Sequence, residues 1–288
     1  MVIVRIFDGL GNQLFQYAFA RMLQEQNIEV YLDTKKGYEQ YFTKFRNHAK
    51  RVNKLYKFQI HVNEAPNNYL KNYSFFKQEG IKDKLLYYMA THRMWINNYW
   101  QATEINEGIS IHNLKSGNFY LNGWFQDEEL FKDIRLQLLK EIRPKKKIII
   151  SKELRQLLQE DELVSVHIRR GDYVKISNTL SDRYYRDAFE RMEEKYNNPK
   201  YLFFSDDINW VKGKYSDMPN MFFISDYGLF EDYEELMIMS SCKSNIIANS
   251  TFSWWGAWLN QNPDKMVIAP KKWFYTQKNI VPKSWVKI

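Results

Sequence analysis

The chain has 288 residues, enough for two domains of ordinary size, and its 44% hydrophobic and 17% aromatic residues exclude an intrinsically disordered protein. It has 42 Lys and Arg against 34 Asp and Glu, which gives a formal net charge of +8. A basic balance favours anionic partners such as phosphates, nucleic acid or an anionic membrane surface, although a soluble basic surface without a partner explains the charge more simply.

Three features bear on the cellular location. The single cysteine, Cys242, excludes an internal disulfide and fits a reducing compartment, and we expect it to be buried packing. No apolar run approaches membrane-spanning length, and residues 1–10 lack the basic and apolar regions of a signal peptide. We therefore expect a cytoplasmic protein; the basic stretch Lys145-Lys146-Lys147 is compatible with peripheral attachment to the inner face of a membrane.

The first 33 residues predict one β-loop-α-β unit. Residues 2–7 read as a strand, 8–13 as a loop, 14–26 as an amphipathic helix and 29–33 as a second strand. Gly9 and Gly11 fall where the backbone turns tightly or approaches a ligand closely. A nucleotide loop and a plain tight turn explain this pair of glycines about equally well.

The middle of the chain has less regular patterning. Residues from about 35 to 120 are rich in Lys, Asn, Tyr and Phe, and we expect helices and loops there. Residues 121–131 read as a short strand, a turn and a helix with acids in its first turn. Pro144 and the lysines after it mark a plausible boundary. We place an N-terminal domain at 1–155 and a C-terminal domain at 156–288.

From about residue 160 strands and helices alternate cleanly. The predicted strands are 163–169, 201–205, 221–225, 245–248 and 266–269, and the predicted helices are 182–196, 208–215, 231–241 and 252–260. Repeated β-α-β units of this length predict an α/β fold with a parallel sheet and helices on both faces.

The run from His167 to Tyr173 (HIRRGDY) follows the first of these strands. Two guanidiniums at the mouth of a strand form an anion clamp, because arginine holds phosphate oxygens in a two-pronged geometry. Strand alternation puts His167 and Arg169 on one face and Arg170 on the other. Arg169 is therefore the better candidate for the ligand, and Arg170 for a structural pair with a carboxylate. Structural ion pairs for both arginines remain an equal alternative.

A second motif, NSTFSWWGAW at 249–258, follows the strand at 245–248. Ser250 or Thr251 can cap the helix that starts here, and the N–H groups at its positive end form a natural phosphate seat. An ordinary cap followed by an aromatic packing face is the alternative. The three tryptophans at 254, 255 and 258 are more typical of a core than of a ligand platform.

Paired acids suggest further contacts but no clear metal site. Asp206 and Asp207 end a strand and could hold a metal or a ribose, although an aspartate cap is commoner there. Glu234 and Glu235 could reach a base edge, or simply lie on a solvated helix face. The five histidines, His48, His61, His92, His112 and His167, include no pair with metal-ligand spacing.

Three blocks of the sequence together resemble the signature blocks of glycosyltransferase family 11. They are GLGNQLFQYA at 9–18, HIRRGDY at 167–173 and NSTFSWWGAWL at 249–259, in the order found in the family. This family contains the α-1,2-fucosyltransferases that use GDP-fucose, and the length resembles the bacterial members. The resemblance implies a GT-B architecture, with two Rossmann-like domains facing across a cleft, the N-terminal one on the acceptor side and the C-terminal one binding GDP-fucose.

The resemblance also implies an activity and assigns residues to it. The reaction would be inverting transfer of L-fucose from GDP-β-L-fucose to the 2-hydroxyl of a terminal galactoside. Apart from the resemblance, we expect no metal or other cofactor, because the arginines and the helix end supply positive charge and the sequence has no convincing set of metal ligands. Catalytic roles would fall to Arg169, Asp172 and Asn12, with Asp172 orienting the arginines. The donor-binding residues would be His167, Arg169, Arg170, Asp206, Glu235 (on guanine), Asn249, Ser250, Thr251, Phe252 and Ser253. The acceptor-side loop would contain Asp8, Gly9, Gly11, Asn12 and Gln13.

Two points stay open within this assignment. Asp8 stands where family members usually have a glycine, which adds a carboxylate to the acceptor-side loop. The general base is not identified, and the weak candidates are Asp8, Asp33 and Asp172.

Two other functions compete with a transferase. A nucleic-acid-binding module could use the basic charge and the aromatic residues, but the chain has no recognition-helix, RNP-like or zinc-ligand pattern. A glycan-binding protein without transfer activity would need no pyrophosphate clamp, so the intact arginine and serine blocks argue against it.

Overall fold

The computed structural model of the chain describes residues 1–35, 51–70, 99–102, 111–115, 117–273 and 280–288. Much of the segment from 35 to 120, for which the sequence predicts helices and loops, lies outside these residues. The chain divides into two compact units, Met1–Lys145 and Lys146–Ile288. This division falls ten residues before the predicted one, because Leu154 and Leu157 pack with Leu163 and Leu202 of the second unit.

The first unit is built on a parallel sheet. Its described strands are β1 (Val2–Arg5), β2 (Val30–Asp33), β3 (Tyr99–Ala102) and β4 (Phe119–Gly123). They pair in the order β2-β1-β4-β3. The described α-helices are α1 (Leu10–Glu25), α2 (Asn67–Leu70) and α3 (Arg135–Glu141). Short 3-10 helices lie at Leu55–Lys57, Ile111–Lys115, Glu128–Leu130 and Lys132–Ile134.

Helix α1 begins earlier than the sequence predicts. The loop prediction for residues 8–13 is wrong from Leu10 onward, so Gly11, Asn12 and Gln13 lie in the first turns of the helix. Gly9 takes the N-cap position with an extended backbone, and its N–H donates to the Asp8 carboxylate at 2.7 Å. The pattern of glycines predicts a loop, but a glycine in the first turn is tolerated when the rest of the helix packs well.

The second unit contains the other parallel sheet. Its described strands are β5 (Leu163–Ile168), β6 (Lys200–Ser205), β7 (Met221–Phe223), β8 (Ser244–Ile246), β9 (Val267–Ala269) and β10 (Val286–Lys287). They pair in the order β10-β9-β8-β5-β6-β7. The described α-helices are α4 (Lys152–Leu157), α5 (Gly171–Lys175), α6 (Asp182–Lys195), α7 (Ile208–Tyr215), α8 (Asp232–Ser240) and α9 (Thr251–Leu259). A 3-10 helix spans Ile224–Asp226.

The predicted α/β class with two Rossmann-like, parallel-sheet units is confirmed, and a GT-B fold is composed of two such units. Strand alternation distributes the core of the second unit over both faces of its sheet. Val164 and Val166 of β5 pack with α6 on one face. Leu163, one residue earlier, packs on the other face with residues of α4 and α8.

A buried polar cluster fixes β8 beside β5. Asn245 lies opposite Ser165 in the strand register and donates to its hydroxyl at 2.6 Å. Asn260, just after α9, donates to the side-chain oxygen of Asn245 at 2.9 Å. Because buried polar groups must find partners, a one-residue slip of β8 would leave this cluster unsatisfied.

Helix α9 is buried on most of its surface. Trp254, Trp255 and Trp258 are at most 2% exposed, so the prediction that they form core is confirmed. Cys242 is buried as predicted, and burial raises the pKa of its thiol. A side chain at Gly256 would overlap Met239 of α8, so this glycine allows the two helices to pack closely. None of the helices in the described residues is long and apolar enough to cross a membrane.

Candidate functional site

The two motifs of the second unit meet where the winding of its sheet reverses. From β5 the chain proceeds to β6 on one side, and from β8 it proceeds to β9 on the other, although β5 and β8 are neighbours. The crevice beyond the carboxyl ends of such strands is the usual ligand position in open α/β sheets. HIRRGDY leaves β5 and NSTFSWWGAW follows β8, so both motifs border this crevice.

The loops after β5 and β8 are joined directly. The Tyr173 hydroxyl donates to the Asn249 carbonyl at 3.1 Å, and the Asn249 side-chain amide donates to the Asn178 carbonyl at 3.0 Å. Tyr173 closes the HIRRGDY motif, but its residue type alone does not predict this contact. The Asn249 side-chain oxygen is buried and has no partner in the described part of the chain.

Both arginines are engaged in ion pairs. Arg169 pairs with Asp206 (Nη1–Oδ2, 2.9 Å) and with Asp172 (Nη2–Oδ1, 2.7 Å). Arg170 pairs with Asp207 (Nε–Oδ2, 3.1 Å), and its guanidinium carbon lies 3.6 Å from the centre of the Trp210 ring. The predicted structural pairing of Arg170 is present. Arg169 is paired as well, so ion pairing does not distinguish the two arginines, and the predicted ligand role of Arg169 stays a prediction.

The two acids after β6 have separate roles. Asp207 caps α7 by accepting from the Trp210 backbone N–H at 3.4 Å, as expected of an aspartate cap. Asp206 caps nothing: its Oδ1 accepts from the Arg170 backbone N–H at 2.9 Å. Asp206 therefore contacts both arginines instead of capping the helix, and its predicted contact with the nucleoside stays a prediction. Within the described residues, no three His, Cys, Asp or Glu side chains cluster as a metal site.

His167 is an uncharged component of this crevice. Only 4% of its surface is exposed, and its ring centre lies 5.6 Å from that of Phe252 at the start of α9. Burial, reinforced by the positive charge of Arg169, lowers the pKa of His167 to about 3. Its Nδ1 atom is buried without a partner among the described residues. The imidazole can therefore offer a hydrogen bond but no charge.

The N-terminus of α9 presents main-chain N–H groups. Ser250 occupies the predicted N-cap position (φ −131°, ψ 129°), but its side chain makes no capping hydrogen bond. The Ser253 hydroxyl is buried and donates to the Ser250 carbonyl at 3.3 Å. The N–H groups of residues 251–253 have no acceptor in the described part of the chain. An anion would therefore meet amides and the helix dipole here.

Two glutamates in the first turn of α8 differ sharply. Glu234 forms a reciprocal capping box with Glu231. Glu235 has no such partner within the described residues, and its side chain is half-buried. Burial, reinforced by the negative charge of Asp232, raises the pKa of Glu235 to about 7. A half-buried, unpaired carboxylate suits a ligand that presents hydrogen-bond donors, such as the edge of guanine.

The Asp8 loop of the first unit is closely hydrogen-bonded. Asp8 has a left-handed backbone (φ 68°), and its Oδ2 accepts from the Asn12 amide at 2.7 Å. The Asn12 side-chain oxygen accepts from Gln126 at 2.8 Å, a partner that the sequence did not indicate. Gln13 is fully buried and donates to the carbonyls of Asp8 and Val52, so the expectation that it faces the acceptor is wrong.

Asp33 is removed from the base candidates by its surroundings. It is fully buried, and its carboxylate accepts from the Tyr120 hydroxyl at 2.6 Å and from the Lys35 backbone N–H at 3.1 Å.

Comparisons with known proteins agree with the motif resemblance. The model of the family described as Glycosyl transferase family 11 matches residues 1–288. Alpha-1,2-colitosyltransferase of Escherichia coli is 32% identical over 307 residues, covering 100% of this chain and 99% of that protein. The O-antigen biosynthesis glycosyltransferase WbnK of Escherichia coli is 29% identical over 308 residues, covering 97% and 98%. Galactoside 2-alpha-L-fucosyltransferase Sec1 of Mus musculus is 28% identical over 108 residues, covering 35% and 29%.

Proposed function

The chain belongs to glycosyltransferase family 11 and is a glycosyltransferase, and from this premise we propose that it transfers L-fucose from GDP-β-L-fucose to the 2-hydroxyl of a terminal galactoside. The C1 configuration would invert, which leaves an α linkage. The observation that carries the proposal is the meeting of HIRRGDY and NSTFSWWGAW at the switch point of the second sheet, beside the uncapped N-terminus of α9. This arrangement suits a sugar nucleoside diphosphate.

The residues of the second unit support a mechanism based on charge stabilisation. As the bond from donor C1 to the diphosphate breaks, C1 becomes oxocarbenium-like and negative charge grows on GDP. The partly exposed Asp172 would release Arg169 Nη2 to the diphosphate while Asp206 keeps Nη1. The N–H groups at 251–253 would stabilise the same charge, and groups fixed before the reaction are the most effective.

The first unit would hold the acceptor, as the family resemblance implies. Of the carboxylates considered as a general base, Asp8 is the one in that unit with a partly exposed side chain, 16% of its surface. A dissociative transition state needs little base assistance, so the proposal does not depend on Asp8.

Colitose is the second donor sugar to consider. The relative named as an alpha-1,2-colitosyltransferase matches this chain over its full length. The motif resemblance favours fucose, whereas this relative favours colitose, and both donors share the same demands on the diphosphate site.

A transfer assay with both nucleotide sugars over a panel of galactosides tests the proposed function. We expect transfer from GDP-fucose to the galactose 2-hydroxyl, with an α anomer by NMR. A matched acceptor that lacks this hydroxyl, a 2-deoxygalactoside, should accept nothing. Product from the 2-deoxy acceptor, or transfer from the colitose donor alone, would contradict the assignment.

Asp8 should be replaceable by glycine. Asp8→Gly removes the strain of a left-handed backbone, which costs roughly 1 kcal/mol. It also removes hydrogen bonds that contribute a similar free energy in total, so stability and transfer should change little. Asp8→Ala removes the same carboxylate but keeps the strain, and it should melt lower than Asp8→Gly. A loss of transfer above about a hundredfold in both variants, with unchanged affinity for GDP, would exceed what a hydrogen-bonding role explains and identify Asp8 as the base.

The raised pKa of Glu235 predicts a pH-dependent affinity for guanine nucleotides. A carboxylate that accepts from guanine must be ionised, so GDP binding should weaken as the pH falls below about 7, by up to about tenfold per unit. Calorimetry from pH 5 to 8 measures this, with ADP and Glu235→Gln as controls that should lack the extra slope. An identical slope for GDP and ADP would exclude a guanine contact at Glu235.

The raised pKa of Glu235 also predicts that this residue contributes less to the stability of the fold at alkaline than at acidic pH. A carboxyl group whose pKa is higher in the folded chain stabilises the fold fully below its unfolded pKa and loses that contribution as the pH rises through about 7. Glu235→Gln should therefore melt higher than the parent chain at pH 8 and equally at pH 4.5.

Transfer should not require a metal ion. In the described chain Asp206 and Asp207 are already paired with the two arginines, so neither is disposed to hold a cation. We expect activity to survive exhaustive EDTA treatment, with magnesium or manganese changing it only modestly through free GDP. Loss of transfer with EDTA and its recovery with manganese would make these two acids the leading metal ligands and overturn the arginine-based mechanism.

A further inference from the structure

The arginines and acids of the crevice are matched by strand register. Strands β5 and β6 are parallel, and their last paired residues are Ile168 and Ser205. Continuing the register by one and two residues sets Arg169 opposite Asp206 and Arg170 opposite Asp207, which are the ion pairs observed. The charge pairing is therefore a property of the two strand ends.

Asp206 differs from Asp207 in what it holds. Its Oδ2 pairs with Nη1 of the Arg169 side chain, and its Oδ1 accepts from the backbone N–H of Arg170. One carboxylate thus fixes both the direction of the first guanidinium and the path of the main chain that carries it. Asp207 instead caps α7 and holds the Arg170 guanidinium beside Trp210.

The glycine of HIRRGDY is explained by the same carboxylate. Gly171 does not have a positive φ, so backbone freedom does not account for it. A Cβ at this position would overlap Oδ2 of Asp206 and lie 3.2 Å from its Cγ. Gly171 therefore leaves the space in which the Asp206 carboxylate reaches both of its partners.

We propose that Asp206 is a positioning residue: it sets the Arg169 guanidinium in the orientation that meets the leaving diphosphate, and Gly171 is required because it leaves room for this carboxylate. The inference rests on the proposed function. Asp172 also forms an ion pair with Arg169, but its side chain is more exposed than that of Asp206, at 37% against 25%. Asp206 also holds main chain, so it remains in place when the donor enters.

The first test separates positioning from donor contact. Asp206→Asn keeps the shape and an acceptor for the Arg170 N–H but loses the charged pair. We expect kcat to fall by about tenfold to a hundredfold while the Kd of GDP changes by less than about threefold, because a misdirected arginine loses transition-state stabilisation first. Asp161→Asn, which removes an exposed acid paired with Lys243, is the matched control and should change neither.

A double-mutant cycle with Gly171 supplies the second test. Gly171→Ala should reproduce the kinetic loss of Asp206→Asn and lower the melting temperature. In the Asp206→Ala variant the carboxylate that a Cβ at position 171 would overlap is absent. Adding Gly171→Ala to that variant should change its rate by less than about twofold and leave its melting temperature unaltered.

Either of two results would overturn the inference. The first is an equal effect of Gly171→Ala with and without the Asp206 side chain. The second is a loss of GDP affinity in Asp206→Asn as large as its loss of kcat, which would make Asp206 a donor ligand. If the parent chain transfers neither sugar, the proposed function fails, yet the melting-temperature cycle still reports whether Asp206 and Gly171 are coupled.

Discussion

Replacing Arg169 with lysine is expected to lower the rate of transfer by about 10²–10³-fold while the protein stays folded. The guanidinium contacts two carboxylates through separate nitrogens, Asp206 through Nη1 and Asp172 through Nη2. A lysine ammonium keeps the charge but cannot span both partners or present a planar pair of donors to a diphosphate. Transfer kinetics and thermal melting of the variant give the result directly.

Arg170→Lys is the companion variant for this prediction. Arg170 forms an ion pair with Asp207, the N-cap residue of α7, and its guanidinium lies over the Trp210 ring. Its replacement should therefore lower the melting temperature more than Arg169→Lys does. Arg191→Lys, at an exposed pair with Glu194, controls for the substitution itself. Equal losses of activity and equal melting shifts in the variants at 169 and 170 would show that the two arginines do not divide their roles.

Replacing Thr251 with proline is expected to lower transfer by about 10²-fold without unfolding α9. Thr251 is the first helical residue, where proline is favoured because its missing N–H has no intrahelical partner. Ser250 already has the extended conformation that a following proline requires. The substitution therefore removes one N–H group from the proposed diphosphate seat and leaves the helix intact.

Thr251→Val is the matched control, since it removes the hydroxyl and keeps the N–H. We expect this variant to retain transfer within a few-fold of the parent chain, and both variants to melt near the parent temperature. An equal loss in the valine variant would assign the contact to the hydroxyl group instead of the main chain.

The strands and helices after residue 160 could be predicted from sequence because each buries a clearly periodic apolar face. Helix α7 has the predicted bounds, α6 ends one residue earlier than predicted, and α8 is one residue shorter than predicted at each end. Helix α1 was predicted to start at residue 14 because Gly9, Gly11 and Asn12 are typical of loops. Its true start depends on the Asp8 carboxylate and on tertiary packing, which local pattern does not reveal.

The motifs of the site could be found in the sequence, but their contacts could not. The sequence places Asp206 at a strand end, but its pairing with Arg169 depends on β6 lying beside β5 in one particular register. Nothing in the sequence singles out Trp210, and only the position of Arg170 above its ring shows its role. Ser250 has the sequence of a cap, but its hydroxyl makes no capping bond.

The strand order of the second unit also has a consequence for folding during synthesis. Within the second unit, strands β5, β6 and β7 leave the ribosome first and can pair with one another. Strand β5 keeps one edge unpaired until β8 is made. The Ser165 hydroxyl likewise accepts from Asn245 only after another 80 residues have been synthesised. An unpaired apolar strand is a template for aggregation, and pairing over such a separation is slow. Nascent chains that end before Ser244 should therefore be the species that most need chaperones, and the crevice between β5 and β8 cannot form until β8 has been made.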